Sequence, residues 1–92
     1  MASLTTARHL LRESLAAAGS GDHLAAARLG LGAMRNATLC RARGREDVAL
    51  MGYDIAVGRA HRVLGDESST QPARSEAGRI LAQAQYLLRR VS

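Results

Sequence analysis

Gly and Pro interrupt this chain at three places, Gly19/Gly21, Gly44 and Gly65 to Pro72, and between them the apolar residues repeat with a helical period. Four helices follow from that punctuation, and no stretch alternates as a half-buried strand would. The apolar content rests on eighteen Ala and thirteen Leu, with no Phe or Trp, which favours helix and gives thin burial per residue. Ninety-two residues make one domain, 1–92, because a chain this short cannot divide its core in two.

In the first helix, read over about residues 3–18, Leu4, Ala7, Leu11, Leu15 and Ala18 share one face, and Arg8, His9, Arg12 and Glu13 the other. The second starts where Ser20 or Asp22 can cap it. It carries a large stripe, Leu24, Ala27, Leu31 and Met34, and a small-residue row, Ala26, Gly30, Ala33, Ala37 and Cys40, that lets a neighbouring helix come close. Arg41 and Arg43 suit its negative end, and Gly44 is read as its left-handed stop. The third opens with Glu46 and Asp47 and repeats Leu50, Tyr53, Val57, Ala60 and Leu64, widened by Ala49, Ala56 and Val63 on one side and Met51 and Ile55 on the other. It is expected to be the most buried helix, with Asp54 paired to an arginine. The fourth begins near Pro72 and aligns Ala73, Ala77, Ile80, Ala84, Leu87 and Val91, flanked by Leu81 and Leu88. Short connections between such helices give antiparallel neighbours, as a closed bundle or as two stacked hairpins.

All thirteen basic residues are Arg, against eight acids, and the excess lies in the first half: +4 over residues 1–46 and +1 over 47–92. Arginine's forked donors suit carboxylate and phosphate, so an acidic partner is permitted. Arg41, Arg43 and Arg45 form the sharpest basic cluster and the candidate phosphate contacts, set against a simple capping role, with no aromatic residue interleaved to stack bases. No run is long and apolar enough for a membrane span, and the N-terminal stretch lacks the apolar core of a secretory signal. A single cysteine forms no internal disulfide, so the expectation is a cytoplasmic protein with no membrane partner.

Catalytic and metal readings find little support. Cys40 and His61 fall on either side of the second turn, sixteen helical residues of the third helix apart, too far for a dyad. Cys40 is read as a small core filler. His23 and His61 come to one end with Asp22, Asp66 and Glu67, but no close-spaced pair of ligands fixes a metal geometry. Gly30-Leu31-Gly32 falls inside a helix and is read as packing, not as a nucleotide loop. The expectation is therefore no enzyme, no cofactor and no metal.

The segment Val57-Gly58-Arg59-Ala60-His61-Arg62-Val63-Leu64-Gly65-Asp66 resembles the end of the first helix of a tetratricopeptide repeat, with an apolar-Gly pair and a Gly-Asp turn. Gly21-Asp22-His23, followed by Ala26, Gly30 and Ala33, is similar to the turn and second helix of that repeat. Small residues at Gly58, Ala26 and Ala33 would let the helices of a hairpin touch. The pattern departs in two places: Asp54 stands where a large aromatic is usual, and a loop displaces the next small residue to Ala77. The resemblance implies two helical hairpins forming a protein-interaction module, the first and third helices lining a groove for a peptide or helix. Arg12, Tyr53, Asp54 and Arg59 are its candidate contacts. The alternatives are a small basic nucleic-acid-associated protein using Arg41, Arg43 and Arg45, and a homo-oligomer made for assembly. Self-association is expected in any case through Leu81 and Leu88, since a terminal helix has no following repeat to cover it.

Overall fold

The computed structural model describes residues 2–91 and is all-α, with α1 at Leu4–Gly19, α2 at His23–Leu39, α3 at Arg45–Gly65 and α4 at Gln71–Leu88. Local chemistry sets most of the helix starts. Ser3, Asp22 and Thr70 each accept a hydrogen bond from a first-turn amide, from Thr6, Ala25 and Ala73, at 3.1, 3.1 and 3.3 Å. Pro72 stands in the first turn of α4, where its missing N–H costs nothing.

The start of α3 corrects the sequence reading. Gly44, at φ 84°, is the N-cap of α3, whereas α2 ends five residues earlier, at Leu39. Thr38 Oγ1 donates to the Met34 carbonyl at 2.7 Å, a back-bond that competes with the helical ladder just where α2 stops. Gly44 has no capping side chain, and Glu46 and Asp47 in the first turn compensate through the positive end of the helix.

Inter-helix contacts give the order of packing. Ser14 of α1 bonds Ala26 of α2, and Leu10 packs beside Gly32, so α1 and α2 run antiparallel. Gly30 lies against Gly52 and Ala56, while Arg59 reaches His23, so α2 and α3 are antiparallel too. Tyr53 to Gln85 and Leu64 to Arg74 make α3 and α4 a third antiparallel pair. Arg28 to Glu76 and Arg35 to Gln83 then show α2 and α4 running parallel at a constant offset. Each helix touches its first and second neighbours along the chain, and α1 and α4 do not meet. The arrangement is an open stack about 40 Å long, not a closed bundle.

The core seam lies where backbones approach most closely. A Cβ placed on Gly52 would stand 2.7 Å from the Gly30 carbonyl oxygen, and one on Gly30 would stand 3.0 Å from that of Gly52. Only glycine at both positions lets α2 and α3 come together this far. Ser14 is fully buried beside this crossing and donates to the Ala26 carbonyl at 2.7 Å, which satisfies its hydroxyl.

This tight seam changes the phase of two faces. In α1 the buried residues are Ala7, Leu11 and Ser14, and Leu15, expected inside, is 55% exposed. In α3 they are Val48, Ala49, Gly52, Ala56, Ala60 and Val63, so the seam follows the small flank and leaves Leu50 and Met51 outside. The most buried helix is α2, with seven buried residues out of seventeen, rather than α3. A Cβ placed on Gly58 would meet nothing within 4 Å, so this glycine does not mediate the hairpin contact expected of it. The small row from Ala26 to Cys40 and the α4 stripe from Ala77 to Val91 are buried as read.

Candidate functional site

Of the four groove candidates only Asp54 and Arg59 come together, in a shallow cleft along α3 with Ile55, Gly58 and Arg62. Arg12 is exposed on α1, and Asp54 is exposed on α3 with no ion pair among the described residues, so the expected arginine partner is absent. Asp54 needs none, because it remains in water. Tyr53 turns the other way, its hydroxyl accepting from Gln85 of α4 at 3.3 Å. Arg59 is half-buried and bonds His23 Nδ1 at 3.1 Å, and since arginine only donates, that nitrogen is the acceptor.

Another set of side chains lies along α1 and α3, two helices in contact. The Arg8 guanidinium lies beside Gly44, at the start of α3, and Leu15, two turns along from Arg8, falls on the same flank of α1. On α3, Met51 and Ile55 are one turn apart on the flank opposite Tyr53, hence away from α4. Leu15 and Met51 are 55% and 49% exposed, Ile55 is half-buried, and Arg12 and Asp54 stand on the outer rim. Large side chains left wet on an outer helix face are the signal that marks this surface.

The arginine trio is split by the structure. Arg43 lies with Glu46 and Asp47 around the start of α3, where carboxylates balance it. Arg45 is half-buried and donates to the Thr38 carbonyl at 3.3 Å, closing the end of α2. Arg41 and Arg45 share a cleft with Arg90, which follows α4, and with Thr38, Leu39 and Cys40. Arg90 was beyond reach of sequence reasoning, because its place depends on α2 and α4 being parallel. The Cys40 thiol is buried and donates to the Ala37 carbonyl at 3.3 Å, as a core filler does.

Two further clefts lie elsewhere on the surface. His23, His61 and Asp66 do come together at the opposite end, with Arg62 and Gly65. No group of three or more metal-ligating side chains is found among the described residues. The Asp66 carboxyl is held below its usual range, mainly by the Ser68 hydroxyl and then by the Ser68 amide. Between α2 and α4, Arg28 grips Glu76 with two hydrogen bonds of 2.6 and 3.0 Å, which lowers the Glu76 carboxyl and raises the guanidinium.

Leu81 and Leu88 are half-buried and pack against the core. The bare apolar face expected of α4 is absent, since α3 and α2 together cover the stripe; Tyr86 is the one large apolar side chain left exposed on this helix. No protein-family model, curated protein or solved structure matches the chain. No helix of the described residues is long and apolar enough to cross a membrane.

Proposed function

We propose that this protein is a non-enzymatic interaction module that takes an amphipathic peptide or helix between α1 and α3. The observation that carries the reading is the exposure of two large apolar side chains, Leu15 on α1 and Met51 on α3, on two helices that touch each other. An amphipathic segment buries such positions and leaves its polar side wet. Arg8 and Arg12 beside them favour acidic residues in the partner. The open stack, in which each helix meets its first and second neighbours, supports the likeness to tetratricopeptide hairpins, although Gly58 does not serve as that repeat's small contact residue.

A displayed library of amphipathic peptides, selected against the immobilised protein, tests the reading. Enriched peptides should carry acidic residues and lose at least tenfold in affinity for a Leu15→Glu, Met51→Glu variant, while Gln83→Glu on α4 leaves binding unchanged. Peptides that bind the double variant as well as the wild type, or a failure to enrich any, would overturn it.

A further inference from the structure

The parallel course of α2 and α4 brings both of their C-terminal ends to the end of the stack where α1 and α3 begin. Six arginines gather there, Arg8, Arg41, Arg43, Arg45, Arg89 and Arg90, against two carboxylates, Glu46 and Asp47. At the other end Arg59, Arg62 and Arg74 meet Asp22, Asp66 and Glu67 in equal number. The molecule is 40 Å long, several times the roughly 8 Å over which charges interact at physiological salt, so the basic end acts on its own.

Within that end, the cleft of Arg41, Arg45 and Arg90 has a volume of about 440 Å³ and no carboxylate among the described residues of its lining. Arg41 has no hydrogen-bond partner among the described residues, and Arg45 and Arg90 each commit one terminal nitrogen, to the Thr38 carbonyl and the Tyr86 hydroxyl. Guanidinium donors therefore remain for an incoming anion. Tyr86 stands immediately beside the cleft, 57% exposed, with the Arg90 guanidinium 5.6 Å from its ring centre. An exposed aromatic ring next to arginines without carboxylates is the pairing that single-stranded nucleic acid uses: phosphates on the cations and a base on the ring. Arg89 carries positive charge beyond the cleft, which suits a repeating polyanion better than a single anionic group.

We infer that this end of the molecule is a binding surface for single-stranded nucleic acid, with Arg41, Arg45 and Arg90 on consecutive phosphates and Tyr86 stacked on a base. The inference is independent of the peptide groove between α1 and α3. Sequence preference is weak, since none of these groups reads a base edge.

Fluorescence anisotropy with a labelled twelve-nucleotide oligo-U or oligo-dT, repeated from 50 to 200 mM salt, tests it. Three phosphate contacts give a slope of log K against log salt of about −2, a loss of about twentyfold over that range. Arg41→Ala and Arg90→Ala each make the slope shallower by about 0.7. Tyr86→Leu weakens binding about five- to tenfold and leaves the slope in place, because stacking involves no counterion. Arg28→Ala removes the same charge far from the cleft and leaves affinity within twofold, and circular dichroism confirms that every variant is folded. No binding at 50 mM salt, equal losses for Arg28→Ala and Arg90→Ala, or displacement by poly-glutamate at matched charge would overturn the assignment. The last result would identify a site for carboxylates rather than for nucleic acid.

Discussion

Replacing Gly52 by alanine sets two opposed effects against each other, and the geometry decides the sign. A Cβ at this position stands 2.7 Å from the Gly30 carbonyl oxygen and 2.9 Å from the Met34 amide nitrogen, both backbone atoms of α2 that no side-chain rotation can move aside. Restoring ordinary contact at 3.4 Å requires α3 to withdraw from α2 by about 0.7 Å, which opens the seam shared by Ala49, Ala56 and Met34. Overpacking costs about 1–3 kcal/mol, here about 2–3 because both clashing atoms are backbone, and the better helix propensity of alanine returns about 0.8–1 kcal/mol. The net expectation is a loss of about 1–2 kcal/mol, or a fall in melting temperature of about 5–15 °C for a domain of this size. Gly58→Ala and Gly78→Ala are the internal comparison, since neither meets anything within 4 Å, and each should stabilise by up to about 1 kcal/mol. Urea unfolding followed by far-UV circular dichroism reads all three variants on one scale. A Gly52→Ala protein as stable as the wild type, or a common sign for all three substitutions, would refute the close approach of α2 and α3.

Other consequences are directly measurable. Ser14→Ala removes one hydrogen bond and leaves the Ala26 carbonyl in its helical ladder, so a loss of about 0.5–1.5 kcal/mol is expected in the same urea assay, whereas Ser14→Leu should be far more damaging. Glu76 has its folded-state pKa lowered by Arg28, so the pair's contribution is fully present above the ordinary carboxyl range and is lost as pH falls through the folded value. Because the Arg28 side chain is 57% exposed, Glu76→Gln should cost only about 0.5–1 kcal/mol at pH 7, and the difference from wild type should vanish in acid-unfolding curves below that range. Leu81→Glu should lower the unfolding free energy by about 1–2 kcal/mol, since this side chain packs on the core; light scattering that shows a dimer lost without a loss of stability would contradict its placement.

Helix number and most helix ends were legible in the residues because they are local matters. Asp22 before His23, Pro72 in a first turn and the acids at Glu46 and Asp47 each act through backbone groups within one turn, whatever lies across the fold. Which face turned inward was not local. Hydrophobic spacing selects the largest residues, so it chose Leu15 over Ser14 and the row of Leu50, Tyr53 and Val57 over that of Ala49, Gly52 and Ala56. The helices instead meet where their backbones nearly touch, and at that distance a small side chain gains more from close packing than a large one gains from leaving water. The arginines show the same division. Arg41, Arg43 and Arg45 are neighbours in the chain, yet Arg43 is balanced by Glu46 and Asp47 while Arg41 and Arg45 join Arg90. That grouping follows from the parallel alignment of α2 with α4, whose register shows in Arg28 on Glu76 and Arg35 on Gln83, and residues 48 positions apart find each other only after the stack has formed.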